Sequence, residues 1–309
     1  MTNALAIDVR GLVKRFGKKT AVDGVNIQMP KGQVWGFLGP NGSGKTTTIR
    51  MICGLLKATE GEGSCLGFDI ARDANEIKSR TGYMTQKFSF WGDMTIRENL
   101  EFVARLYELN PLAEIVDQTL ETLGLTDRQN QLAGALSGGW KQRLALAAVT
   151  MHKPSLLLLD EPTAGVDPQA RRDFWDEIHR LSSNGMTVLV STHYMDEAER
   201  CDYIVYLANG RKVTEGSVSD IIKESKLVTY RGEGEGVRRF AEAMAHNPGI
   251  EHVAYFGSAL HVSGVERSPI EQAIQGVSKG VNWSEVRPSL EDAFIALMAR
   301  AGEDQRAHS

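Results

Sequence analysis

The chain has 309 residues, with 42% apolar and 24% charged, which suits a full-sized globular domain and a smaller companion, each able to bury a core. Its 35 Lys and Arg against 39 Asp and Glu leave a formal charge of −4, so no global basic field exists for nucleic acid. No stretch approaches the roughly 20 apolar residues that span a bilayer, and Met1 to Arg10 lacks the basic-then-apolar pattern of a signal peptide. Cys53, Cys65 and Cys201 have no metal-ligand spacing and cannot all pair within one chain. They read as structural thiols of a reducing compartment.

Leu5 to Val13 and Val25 to Met29 alternate apolar and polar residues, as half-buried antiparallel strands do. Between them Lys14-Arg15-Phe16-Gly17-Lys18-Lys19 reads as a basic turn with one aromatic. Phe16 is either a hydrophobic anchor under that turn or a platform for a base, since stacking needs only a π-face. The apolar run Val34 to Leu38 then leads into Gly39-Pro40-Asn41-Gly42-Ser43-Gly44-Lys45-Thr46-Thr47. The Gly-x-x-x-x-Gly-Lys-Thr spacing is that of a phosphate-binding loop, whose glycines let backbone N–H groups approach phosphate oxygens. Lys45 supplies charge to the β- and γ-phosphates, and the Thr46 hydroxyl can ligate Mg²⁺. A helix opening at this point adds its free N–H groups and positive dipole end. Ile49, Ile52 and Leu55 continue that helix, and the glycines of Thr59 to Gly63 are expected to end it.

Thr81 to Gln86 is a short β-like run, and Gln86 could orient water or ligate a metal through its amide oxygen. From Phe88 to about Thr150 helix formers dominate, with helical periodicity over Asn99 to Leu109 and Leu112 to Leu123. This reads as a helical insertion into an α/β body. Its leading edge, Phe88-Ser89-Phe90-Trp91, is a loop of aromatics that either caps the core or anchors an interface. Leu136-Ser137-Gly138-Gly139-Trp140 precedes the helical run Lys141 to Met151. Ser137 suits an N-cap, and the glycines permit close backbone approach, so a second phosphate-facing helix N-terminus is available. The alternative is a merely capped helix after a Gly-Gly loop.

Ser155 to Leu159 followed by Asp160 and Glu161 reads as a buried parallel strand delivering carboxylates to the sheet's C-terminal edge. Asp160 can hold a phosphate-bridging Mg²⁺, directly or through water. Glu161 is placed to polarise a water for attack on the γ-phosphorus. Thr187 to Thr192 is another β-branched run and brings His193 to the same edge, where a γ-phosphate contact is expected. The acids of Met195 to Glu199 read as a solvated helix face. Tyr203 to Leu207, Asn209-Gly210 and Arg211 to Val213 form a hairpin.

Composition shifts near Lys226, and Gly232 to Gly236 reads as a flexible turn or linker. Strands over Leu227 to Arg231, Ile250 to Phe256, Leu260 to Ser263 and Val281 to Val286 are expected. They are interleaved with helices over Val237 to Ala245 and Ile270 to Gly276, and a helix from Ser289 to Arg300 follows. The order βαββαβ suggests a small ferredoxin-like module without a catalytic constellation.

Taken together, residues 5 to 220 resemble the nucleotide-binding subunit of an ATP-binding-cassette transporter. The resemblance implies a phosphate-loop NTPase fold over residues 1–225: a RecA-like α/β core, an antiparallel β subdomain and a helical subdomain at about 88–150, with a small α+β domain at 226–309. It implies ATP and Mg²⁺ as ligands. Phe16 stacks adenine, Lys45 and Thr46 hold phosphates and Mg²⁺, Gln86 senses Mg²⁺ and water, Asp160 supports the metal, Glu161 is the general base and His193 the switch residue. Ala164-Gly165-Val166-Asp167 matches the family's D-loop. Trp140 stands where the family usually has Gln, and Phe16 where Tyr is commonest. The resemblance further implies a head-to-tail pair of chains with ATP between them, Ser137 and Gly138 of one completing the site of the other.

Met84-Thr85-Gln86-Lys87-Phe88-Ser89, Thr192 to Glu199 and Arg287 to Phe294 are similar to the exporter branch that pairs with a separate ABC-2 type membrane permease. That places the chain at the cytoplasmic face of the inner membrane, peripheral through its partner and without a nucleic-acid ligand. The rival readings are a soluble ATPase of the same superfamily acting on ribosomes or DNA, and an import ATPase with a regulatory C-terminal module.

Overall fold

A computed structural model describes residues 4–86, 90–234, 236–276 and 280–307. Its contacts divide the chain into two units, Met1–Lys212 and Val213–Ser309.

In the first unit, β1 (Leu5–Phe16) and β2 (Lys19–Pro30) are each 12 residues long and pair antiparallel. They run further than alternation alone suggests, so the expected basic turn shrinks to Gly17-Lys18 and Phe16 ends a strand. The strand β3 (Val34–Leu38) is buried along its whole length and feeds α1 (Lys45–Ile52) through the phosphate loop. That helix stops at Cys53, short of Leu55. Thr59 to Gly63 is not its terminator, because Gly61 and Gly63 lie in β4 (Glu60–Cys65). A Cβ at Gly61 would come within 2.5 Å of the Gly11 carbonyl oxygen, and one at Gly63 within 2.3 Å of that of Asp8. The glycines are therefore there for close approach to β1, which pairs with β4. With β5 (Phe68–Asp69) the order of this antiparallel sheet is β2-β1-β4-β5.

After α2 (Ala74–Ser79) and β6 (Thr81–Met84) come the helices α3 (Ile96–Leu106), α4 (Leu112–Leu123) and α5 (Gly138–Thr150). Thr95 and Glu98 form a capping box that starts α3 earlier than its periodicity indicates. Gly124 in the left-handed conformation ends α4. The three helices share a core of Ile96, Leu100, Val116, Leu120 and Leu144, so the expected helical insertion packs as a body of its own. Of the aromatic loop, Phe88 lies outside the described residues. Trp91 is exposed and meets Phe102 edge-on with ring centroids 4.4 Å apart.

The strands β7 (Leu156–Asp160), β8 (Thr187–Thr192), β9 (Tyr203–Ala208) and β10 (Arg211–Gly216) complete a six-stranded sheet of order β10-β9-β3-β8-β7-β6. Between β7 and β8 runs α6 (Pro168–Ser183), a helix the periodicity analysis leaves unassigned. Asp167 at its N-cap and Pro168 at its first position are the start signal. The short α7 (Met195–Ala198) follows β8. Asn209 and Gly210 both have positive φ, 50° and 79°, the pair a type I′ hairpin turn requires.

The three thiols sit in this unit and all are buried. Burial pushes the Cys53 thiol up to about 11, the Cys65 thiol up to about 12 and the Cys201 thiol further still. Iodoacetamide at pH 8 should therefore leave Cys53, Cys65 and Cys201 unmodified in the native protein and label all three in urea, as counted by mass spectrometry. Native labelling at any of them contradicts this packing.

The unit boundary falls inside β10, and the capping-box helix α8 (Val218–Ser225) follows that strand. The sheet of the second unit comprises β11 (Val228–Glu233), β12 (His252–Phe256), β13 (Ala259–Gly264) and β14 (Asn282–Val286), in the order β12-β13-β11-β14 with every pairing antiparallel. With α9 (Ala241–Ala245) and α10 (Arg267–Gln275) between strands, this is the ferredoxin-like βαββαβ topology, followed by α11 (Leu290–Ala307). One expectation fails here: Gly232 and Glu233 are strand, not linker. Gly232 is required because the Trp283 ring lies on its backbone, 2.7 Å from where a Cβ would stand.

Candidate active site

Three parallel neighbours end at one edge of the six-stranded sheet. Register sets Leu38 of β3 opposite Thr192 of β8, and Ser191 of β8 opposite Asp160 of β7. The phosphate loop, the two carboxylates and His193 therefore emerge side by side at the C-terminal edge, where α/β sheets bind ligands.

The loop's glycines serve different needs. Gly39, Gly42 and Gly44 have φ of 144°, 82° and 103°. A Cβ at Gly39 would stand 2.0 Å from the Leu207 carbonyl oxygen and one at Gly44 2.8 Å from that of Ala21, while Gly42 has open space around it. Gly44 is also the N-cap of α1 and supplies no capping side chain, so the first-turn N–H groups stay available to an anion.

Lys45 is 5% exposed. Its ammonium donates to the carbonyl oxygens of Gly39 at 2.7 Å and Pro40 at 3.3 Å and lies 3.6 Å from Glu161 Oε1. Burial pushes its pKa below the ordinary 10.5, and Glu161 pulls it back up. Asp160 is buried, and its Oδ1 accepts from Thr46 Oγ1 at 3.0 Å and Ser191 Oγ at 2.6 Å. Ser191 Oγ also accepts from the Glu161 amide at 3.0 Å, so one hydroxyl sets both carboxylates. The local pattern does not assign Ser191 a role, and its only signal is a small hydroxyl after the apolar Val188-Leu189-Val190 of a buried strand. Glu161 itself has a φ of 48°, a left-handed conformation uncommon for a side-chain-bearing residue and concentrated at functional sites. Its Oε2 accepts from the Gln86 side-chain amide at 2.9 Å and lies 3.5 Å from His193 Nδ1.

These groups border a cleft of about 470 Å³ lined by Phe16, residues 41–47, Gln86 and Glu161. Phe16 is 52% exposed, with the Lys14 ammonium 5.3 Å from its ring centroid. It is a wall of the cleft and not a core anchor. Gly39, Pro40, Asp160 and His193 stand behind this lining and act on it through Lys45, Thr46 and Glu161.

Ser137, Gly138 and Gly139 do not line the cleft. Ser137 occupies the N-cap of α5 without a side-chain capping bond, and it and Gly138 are exposed. The helix end is thus exposed and uncapped by its own side chain. Gly139 is buried because α6 packs on it: a Cβ there would stand 2.5 Å from that of Ala170. The Trp140 ring packs on the helical core, with the guanidinium of Arg143 4.7 Å and that of Arg128 5.7 Å from its centroid.

A larger cavity, about 650 Å³, lies between α4, α5 and α6. No phosphate loop or strand-end carboxylate reaches it, so the chemistry belongs to the smaller cleft.

The residues present fit a nucleoside triphosphate. The loop presents a cradle of backbone N–H groups beside a buried cation, and Thr46 with Asp160 offers oxygen donors of the kind Mg²⁺ takes. Among the described residues no group of three or more His, Cys, Asp or Glu side chains is set to hold a metal ion, and Mg²⁺ bound to one carboxylate ordinarily draws its other ligands from phosphate oxygens and water.

A family model described as ABC transporter matches residues 22–164. The probable multidrug ABC transporter ATP-binding protein YbhF of Escherichia coli K12 is 42% identical over 221 residues, 71% of this chain and 38% of that protein, so the chain spans well under half of this relative. The Nod factor export ATP-binding protein I of Burkholderia orbicola AU 1054 is 34% identical over 96% of this chain and 98% of its own length. Among solved structures, a dimeric ATP-binding cassette in a post-hydrolysis state with ADP and Pi is 26% identical, covers 68% of this chain and 98% of its own, and superposes with a TM-score of 0.62. With that end-to-end likeness added to a phosphate loop, an acidic strand end and a Ser-Gly-Gly helix start, the chain belongs to the ATP-binding proteins of the ABC transporter family.

Proposed function

We propose that this chain is the ATP-hydrolysing subunit of an exporter and drives a separate ABC-2 type membrane permease. The observation that carries the reading is the division of the site. Lys45, Thr46 and Glu161 line one cleft with Asp160 hydrogen-bonded behind Thr46, while the exposed N-terminus of α5 at Ser137 and Gly138 lies outside it. A second copy docked head to tail supplies that helix end to the γ-phosphate. That the similar cassette with ADP and Pi is dimeric supports a paired arrangement.

In this reading Phe16 stacks the adenine and the backbone of residues 39–47 binds the phosphates with Lys45. Thr46, Asp160 and Gln86 hold Mg²⁺, which when bound neutralises charge on the phosphates. Glu161 takes the proton of the attacking water and His193 orients it against the γ-phosphate. The exposed Trp91 and Phe102, with Leu106 one turn further along α3, form an apolar patch after Gln86 that suits the permease. No helix of the described residues is long and apolar enough to cross a membrane. In this reading the permease supplies the path, and this subunit sits peripherally at the cytoplasmic face of the inner membrane. Relatives named for multidrug and Nod factor export support a drug-like, lipid or polysaccharide substrate class.

The test is to isolate the chain from membranes in mild detergent and identify its companions by mass spectrometry. A six-span permease in about equal amount is the expected result. Ribosomal or nucleic-acid components without a membrane protein would overturn the export reading and leave the cassette intact.

A further inference from the structure

Glu197 lies outside the cleft, and the acids around it read as a solvated face, yet its side chain is 1% exposed. Its neighbours Asp196 and Glu199 are exposed as expected. Each partner of the buried carboxylate comes from a different segment of the site. Oε1 accepts from the hydroxyl of Thr163, which follows Glu161 in the loop after β7. Oε2 accepts from the hydroxyl of Thr192 at 2.6 Å, on the residue before His193. The Thr192 hydroxyl also accepts from the Tyr194 amide at 3.1 Å, so one side chain fixes the backbone on both sides of His193. Arg171 of α6 approaches Oε1 to 3.5 Å and lays its guanidinium 4.4 Å from the Tyr194 ring centroid.

A carboxylate removed from water is tolerated only when paired and hydrogen-bonded. All these partners must therefore be in place together. An ionised carboxylate has no proton to give, so both threonine hydroxyls point at Glu197, and the lone pairs of Thr192 are left for Tyr194.

We propose that Glu197 is a positioning residue that clamps the Thr163 loop to the end of β8 and so holds His193 against Glu161. The proposal rests on the roles given to Glu161 and His193 above. Glu197 acts on turnover by holding His193, whose Nδ1 lies 3.5 Å from Glu161 Oε2.

The experiment measures steady-state ATP hydrolysis of Glu197→Ala, Glu197→Gln, His193→Ala and the double variant Glu197→Ala/His193→Ala. Glu197→Ala should lower kcat about tenfold or more, with KM for ATP changed less than about threefold. Glu197→Gln should stay within about threefold of wild type, because either threonine hydroxyl can turn to accept from the new amide. The double variant should be no slower than His193→Ala alone, since the two act as one unit. If Glu197→Ala does not fold, Thr163→Val removes the Oε1 partner at constant volume and should lower kcat in the same sense. A kcat within about twofold of wild type for folded Glu197→Ala, or for Thr163→Val in its place, overturns the clamp, as do additive losses in the double variant. Unchanged turnover in His193→Ala overturns the site reading itself, and the clamp with it.

Discussion

Glu161→Gln still binds ATP and lowers turnover about 10²-fold to 10⁴-fold. The shape of the side chain is kept, so what changes is basicity. In the native cleft Oε2 already accepts from the Gln86 amide and lies beside His193, while Oε1 faces the Lys45 ammonium at 3.6 Å. The left-handed backbone at Glu161, held by Ser191, fixes where those oxygens point. An amide can keep a contact to Gln86 or to His193, but it cannot accept the proton of an attacking water. Lys45 meanwhile loses its nearest anion and retains the carbonyls of Gly39 and Pro40. The phosphates of bound ATP then become its principal counter-charge, so affinity should hold or rise. Fluorescent-nucleotide titration and phosphate release measure the two halves separately. Turnover within about fivefold of wild type, with normal binding, would remove Glu161 as the base. The same variant should trap the head-to-tail pair when ATP is added, visible as a doubled mass by light scattering.

Much of the site is legible in the chain because its parts are local. The phosphate loop carries its spacing within nine residues, and Leu156 to Asp160 declares a buried strand by its unbroken apolar run. That these runs deliver their residues to one sheet edge follows once each is taken as parallel, while the order β3-β8-β7 is set by pairings between distant segments. What escapes the sequence is decided by partners far along the chain. Gly61 and Gly63 look like helix terminators until β1 is laid against them at 2.5 and 2.3 Å from a would-be Cβ. Phe16 could be core or platform from its neighbours alone, and the extra length of β1 carries it out to the cleft. Glu197 sits among acids in a short helix, and no local pattern separates it from Asp196. Its burial depends on Thr163, Thr192 and Arg171, which come from three other segments. In each case composition reports the residue's own preference, and tertiary partners override it.

Gly39→Ala should destabilise the nucleotide-binding unit by about 3 kcal/mol or more and weaken ATP binding at least about tenfold, whereas Gly42→Ala should cost only about 1–2 kcal/mol. Both positions have positive φ, 144° and 82°, so dihedral strain is common to the pair. The difference is what the new methyl meets. At Gly39 it would lie 2.0 Å from the carbonyl oxygen of Leu207 and 2.7 Å from Ser43 Oγ, while at Gly42 nothing stands within 4 Å. Leu207 belongs to β9, which pairs in parallel with β3 through Leu38 and Tyr206. Neither backbone can retreat without opening that ladder. If the loop gives instead, it drags the Gly39 carbonyl away from the Lys45 ammonium that donates to it at 2.7 Å, and the buried cation loses its seat. Gly42→Ala leaves this frame untouched and places its methyl toward the cleft, so it should fold yet bind nucleotide less well. Urea midpoints and nucleotide titrations of the two variants separate the effects. Equal midpoints would mean that β9 yields to the added methyl, and that Gly39 serves only the dihedral of the loop.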